Sequence, residues 1–440
     1  MNWQRWHWLP LAGLAVALVA LSAPAQDAKN LKRPNATKLS NMGQYASGNK
    51  KVVEPNKEDT DRNKAEIEEV SQWYVYRLLD PKYHNETTKR ADGVANTMND
   101  LVTEANKVVP KPAPGATSIK ESQADYAEAF GMAMNRHLAS VLNASGGEAI
   151  VKVNAARMLA NQALSGYEGL ADTATTLLKD NTNVDGLKLS LKYYAAQALE
   201  RLFAQTQPGE PTKSVFRKQD REVNAALALL GFLKEQSFLP PTAADDEVDA
   251  LRVVRRQVIA ALGACRYGVL PDPKTNKPIE YPAFALLRVM ANDGLNPPVS
   301  LAERVEAAIG LAQLRPDDKL NVDVAAVWIG TVASDMALAK ARQTSDMSIP
   351  WRLQGARLRE ALEKWKDAAT RAKQGKFASD LWNTNISQLL DSFKDPAPDS
   401  TSSQALKAWL QRQNVANKPL IDGVPATMLK PPMAEPAAGN

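Results

Sequence analysis

Apolar residues recur along this chain at steps of three and four. Val94, Met98, Leu101, Ala105 and Val108 form one such series, and Tyr126, Phe130, Met134, His137 and Val141 form another. Each spacing places one apolar stripe on one face of a helix. Alternation of period two with β-branched residues is almost absent, so strands are not expected. Pro and Gly fall between the periodic runs, as in PKPAPG at 110–115, QPGEP at 207–211 and PDPKTNKP at 271–278. That punctuation ends helices rather than interrupting them. The pattern predicts about 13 helices of roughly 14–25 residues joined by short links. The fold class is all-α, an irregular helical-hairpin stack with disordered ends.

The pattern also divides the chain. Residues 1–25 carry Arg5, an apolar run from Leu9 to Leu21 and then Ala23-Pro24-Ala25. A short apolar run before a small-x-small site is the form of a signal peptide cleaved after Ala25, which predicts export to a periplasmic or extracellular space. No later stretch approaches 18 apolar residues, so the exported chain is expected to be soluble, without a transmembrane segment. Residues 26–55 are basic, rich in Asn and Ser and without apolar period, the composition of a flexible arm. Residues 56–394 form the helical domain. Residues 395–440 form a proline-rich tail with one short helix, QALKAWLQRQ.

Inside the helical domain an Ala-Ala pair followed by large apolar residues returns at 155, 195, 225, 260 and 307. Small residues let helices approach closely, and the Leu residues after them fill the groove. Successive spacings of 40, 30, 35 and 47 residues overlap the periods of helical-pair repeats. Over residues 148–315 the chain resembles HEAT-like α-solenoids. The resemblance implies a stack of helical hairpins that presents a long face to a partner. The tetratricopeptide signature is not present.

Composition narrows the chemistry. Charged residues make up 23% and apolar ones 44% of 440 residues, near the globular average. The net charge of +5 is too small to imply nucleic acid. The single cysteine, Cys265, excludes an intramolecular disulfide framework and a zinc cluster, and its apolar helical run reads as a buried site. The motifs GxSxG, HExxH, GxxxxGK[ST] and GxGxxG do not occur. His137 sits on an apolar stripe and His84 in a turn after Asp80-Pro81, where an exposed loop histidine is expected. No cofactor, metal site or catalytic residue is assigned. Asp245, Asp246, Glu247 and Asp249 begin a helix, where acidic residues complement the dipole. Asp249 and Arg252 are spaced to pair on that helix.

The most distinctive segment is 348–376. Trp351, Gly355, Leu358, Leu362, Trp365 and Ala369 follow at heptad-like steps, amid eight basic and only three acidic residues. The expected helix buries Trp351, Leu358, Leu362 and Trp365 and holds its basic side chains outward. Glu360 with Lys364 and Asp367 with Arg371 are spaced as i,i+4 pairs. A solvated basic face is the plain reading. The functional reading assigns Arg352, Arg357, Arg359, Lys366 and Lys373 to a protein or anionic envelope surface as partner. Together these features predict an exported, non-enzymatic helical scaffold or binding protein. The alternative is an α/α-toroid enzyme that acts on polysaccharides through paired carboxylates. The scattered tryptophans and 6% aromatics weigh against a sugar cleft.

Overall fold

A computed structural model describes residues 32–421 except 85–96, 145, 181–184, 236–238, 240–241, 293, 316–319, 343–349, 372–374 and 414–417. The segment expected to be a signal peptide, Val94 and Lys373 therefore lie outside the described residues. The described chain is mostly helix, as the apolar periodicity predicts. Its only described strands are two short pairs, Thr206–Gln207 with Glu210–Ser214 and Leu270–Pro271 with Pro278–Glu280. Both form at proline-rich punctuation. In the second, Asp272 Oδ1 accepts the Lys274 and Thr275 backbone N–H groups at 2.8 and 2.7 Å, which closes the turn.

The chain divides into two compact units, Met1–Thr173 with Gln207–Lys213, and Ala174–Thr206 with Ser214–Asn440. The first unit contains α1 (Ala36–Ser47), α2 (Lys57–Tyr76), α3 (Met98–Lys107), α4 (Ala124–Asn143) and α5 (Ala149–Gln162). Helix α1 lies within the stretch expected to be a flexible arm. Asn35 Oδ1 caps it through the Lys38 N–H, and Met42 and Tyr45 are fully buried. Two anchors in a polar helix leave no visible period, which explains the difference. Tyr45, Tyr126 and Phe130 stack in sequence at 5.6 and 5.2 Å, and the Tyr126 hydroxyl donates to Val108 O at 3.0 Å.

His137 is buried on α4, with Nε2 2.8 Å from Glu68 Oε1 and Nδ1 3.3 Å from the Tyr76 hydroxyl. Burial lowers its pKa below 6.5, and Glu68 opposes that shift. The unfolded chain therefore takes up this proton at a higher pH than the folded chain. Stability from the neutral imidazole is present above pH 6.5 and falls as the pH drops toward the folded pKa. Thermal denaturation between about pH 5 and 7 should show a smaller acid loss in His137→Asn than in the parent. Equal slopes would show that this histidine does not drive the loss. His84 is not the exposed loop residue expected from sequence. Its Nε2 lies 2.9 Å from Leu78 O and its Nδ1 2.6 Å from Glu148, because the turn folds back onto the start of α5.

Helix α6 (Leu170–Lys179) contains the division between the units. The second unit is built from α7 (Gly186–Phe203), α8 (Gln219–Lys234), α9 (Asp245–Ala264), α10 (Pro282–Ala291) and α11 (Leu301–Gln313). It continues with α12 (Val322–Arg342), α13 (Trp351–Arg371), α14 (Gly375–Leu381), α15 (Ser387–Asp391) and α16 (Ser400–Gln411). Alternate helices touch: α7 packs on α9, α9 on α11 and α11 on α13, with α8, α10 and α12 flanking them. The short tail helix is present as α16, and Leu320 pairs with Ile421 in an isolated bridge.

The Ala-Ala pairs lie at these helix contacts. Ala195, Ala196, Ala225, Ala226, Ala261, Ala307 and Ala308 are all 0% exposed. Helices α9 and α11 approach closely where Gly263 and Gly310 face each other. Helix α12 is long and apolar enough to cross a membrane by length and composition, whereas the sequence reading expected no such stretch after the first 25 residues. In this structure 78% of its most apolar window is buried. Its Asp335 accepts from Arg304 at 2.6 Å, which fixes a polar group amid the apolar run.

Candidate functional site

Helices α7, α9, α11 and α13 line a groove in the second unit. Its larger cavity, about 480 Å³, meets residues from their C-terminal ends, including Ala204, Ala264, Ala312 and Arg371. A smaller cavity of about 340 Å³ meets residues nearer their N-terminal ends, including Tyr193, Val253 and Leu353. Both share Glu200, Ala260, Glu306 and Arg357. The four helices therefore cross the groove in the same direction. Alanines at successive helical turns give it a low floor, so a ligand can lie close to the helices.

Each helix contributes one polar group to the centre. Gln257 Nε2 on α9 donates to Glu200 Oε2 on α7 at 2.5 Å. The Arg357 guanidinium on α13 donates to both Glu306 oxygens on α11, at 2.8 and 2.6 Å. Glu306 is only 4% exposed, so this two-pronged pairing compensates a buried charge. Burial raises the Glu200 pKa above the usual carboxylate range, the Gln257 hydrogen bond opposes the shift, and neighbouring Glu306 adds to it. The Arg357 pKa is also raised, chiefly by its hydrogen bonds to Glu306.

Of the residues assigned to a basic partner face, Arg352, Arg359 and Lys366 recur seven apart along one side of α13, and Arg357 lies off that side. Trp351, Leu358, Leu362 and Trp365 are buried as expected, against α11 and the helices that follow. Arg352 is exposed. Arg357 turns into the groove rather than outward, because buried Glu306 draws it there. Arg359 pairs with Asp391 at 2.8 Å. Lys366 lies 3.6 Å from Asp367 and 4.8 Å from the centre of the Trp382 ring. Lys373 lies outside the described residues. The Glu360–Lys364 pair forms at 2.6 Å, but Asp367 pairs with Lys366 and not with Arg371.

No family model, curated protein or solved structure matches this chain. The groove must therefore be read from its own chemistry. Among the described residues no group of three or more His, Cys, Asp or Glu side chains is placed to hold a metal ion. Cys265 is buried at the end of α9, donates to Leu262 O at 2.9 Å, and has its thiol pushed up to about 12 by burial. It stays protonated at neutral pH and is a poor nucleophile.

Sequence reasoning missed Glu200, Gln257 and Glu306. One signal was available: Glu306 interrupts the apolar face of VEAAIGLAQL, next to one of the Ala-Ala pairs. A carboxylate on a core stripe requires a partner, but the stripe does not say which helix supplies it.

Proposed function

We propose that this protein is an exported, HEAT-like helical-repeat binding protein that receives an extended polypeptide in the groove of its second unit. The observation that carries the reading is the groove itself, crossed by four helices with an alanine floor and a row of fixed polar groups. Its central charges are already satisfied within the chain, an arrangement suited to orienting a bound chain rather than to moving protons. Aromatic platforms for sugars or bases are sparse along it. Ala260 lines both cavities, so Ala260→Trp fills the floor where they meet. Peptides selected from a random display library on the parent protein should lose at least tenfold in affinity on the variant, with its melting temperature unchanged. Selected peptides that bind the variant equally well would place the binding surface elsewhere.

One observation favours a second reading, the polysaccharide-active enzyme. Glu200 and Glu306 line the same cavity and sit in unlike environments, one beside Gln257 and the other clasped by Arg357. Carboxylates in unlike environments are the arrangement acid–base hydrolysis uses. Incubation of the full chain with cell-wall and plant polysaccharides would support that reading only if sugar release disappears in Glu200→Gln.

A further inference from the structure

The larger cavity holds three arginines that the central pairs do not explain. Arg266 follows the C-terminus of α9, Arg315 follows that of α11, and Arg371 ends α13. All three line this cavity. Arg266 has a left-handed backbone, φ 62°, and its carbonyl accepts the Arg315 N–H at 3.1 Å. That hydrogen bond holds the two arginine backbones side by side. Among the described residues no carboxylate lies within ion-pair distance of Arg266, Arg315 or Arg371; Glu222, which accepts from Ser214 and Tyr267, acts on Arg315 only at longer range. The other basic groups of the cavity differ in this respect: Arg357 is bound to Glu306, and Lys364 to Glu360.

Helix C-termini favour cations, and that accounts for an arginine at each end taken singly. It does not account for the half-buried position of Arg266 beside a like charge. Burial lowers its pKa, and Arg315 lowers it further. A second, independent observation lies in the same cavity wall. Trp365 is 2% exposed and its indole Nε1 is buried without an acceptor. Buried indole N–H groups ordinarily find a partner. Nearby Ala264, Ala312 and Ala368 leave the space open. The three arginines border open volume and lack an ion-pair partner, and an oxyanion fills both needs; the enclosed Trp365 Nε1 senses it through the cavity wall.

We propose that Arg266, Arg315 and Arg371 form an oxyanion site that seats a carboxylate of the partner polypeptide, from an acidic side chain or a chain terminus. This rests on the reading of the groove as a polypeptide site and specifies where an acidic residue of the partner lies. The groove's slender alanine floor and its mixed donors and acceptors suit a peptide chain.

The test is calorimetric titration of the full chain at low salt with hexaglutamate, hexaglutamine and tripolyphosphate. Arg266→Asn, which tolerates the left-handed backbone, and Arg315→Gln are the site variants, and exposed Arg352→Gln is the charge-matched control. Hexaglutamate should bind, hexaglutamine should not, and each site variant should weaken hexaglutamate at least fivefold while the control stays within twofold. The indole N–H resonance that disappears in Trp365→Phe should shift on addition of hexaglutamate. Equal weakening in the control would reduce the effect to net charge and overturn the site. Tripolyphosphate binding without hexaglutamate binding would overturn the carboxylate assignment. If glutarate shifts the Trp365 resonance while no peptide binds, the oxyanion site stands and the polypeptide reading fails.

Discussion

Gly263→Ala is expected to destabilise the second unit by about 2 kcal/mol, although alanine is the better helix former. A Cβ at Gly263 would stand 2.5 Å from Gly310 Cα, a distance that only movement of the backbone can relieve. Overpacking of this kind costs about 1–3 kcal/mol, occasionally more. Alanine recovers about 1 kcal/mol of helix propensity over glycine, so the cost prevails only where the backbone resists. It resists here because α9 packs on both α7 and α11. Gly310→Ala is the informative comparison. Its Cβ would meet Gly263 Cα at 3.3 Å and the Leu286 methyl carbons at 3.3 and 3.4 Å. A leucine end can rotate away, so this variant should remain within about 1 kcal/mol of the parent. Thermal denaturation followed by circular dichroism separates the two. Parental stability in Gly263→Ala would mean that α9 and α11 do not cross this closely in solution.

Removing Glu303 should have the larger effect. Arg255 on α9 is 4% exposed and Glu303 on α11 is 1% exposed, and they meet at 2.6 Å. Arg255 also donates to Pro297 O at 2.7 Å. The other Glu303 oxygen accepts the Ser300 backbone N–H at 2.7 Å and its hydroxyl at 2.8 Å, closing a capping box at the start of α11. Glu303→Ala leaves a guanidinium buried with one carbonyl for company and opens one half of the capping box, while Ser300 Oγ can still accept the backbone N–H of residue 303. Loss of one member of a buried pair costs about 3–5 kcal/mol, and the lost half of the capping box adds less than the roughly 1 kcal/mol of a full cap. Arg255→Met in the same background removes the orphaned charge and should recover part of the loss. Denaturant titration measures both steps. A double variant less stable than Glu303→Ala alone would show that Arg255 contributes chiefly through other contacts.

The all-α class, the position of α16 and the burial of Trp351, Leu358, Leu362 and Trp365 were all legible in the sequence. The reason is local. Side chains three and four apart share a helix face, so burial of that face leaves a periodic record in one strand of text. The Ala-Ala pairs were legible for a related reason, since helix contacts require small residues wherever the axes approach. Helix α1 escaped because two buried side chains in twelve residues leave no period.

Tertiary structure alone decided which polar groups meet. Arg357 reads in sequence as part of a basic face, and its turn into the groove depends on Glu306, 51 residues away. Glu200 meets Gln257 across 57 residues, and Arg255 meets Glu303 across 48. Arg266 and Arg315 are unremarkable where they stand in the chain. They become neighbours because α9 and α11 run in the same direction and cross where both carry glycine, which brings their C-terminal ends together. Helical periodicity fixes the face a residue occupies. The partner on the facing helix is fixed by crossing point and direction, and no local spacing records either.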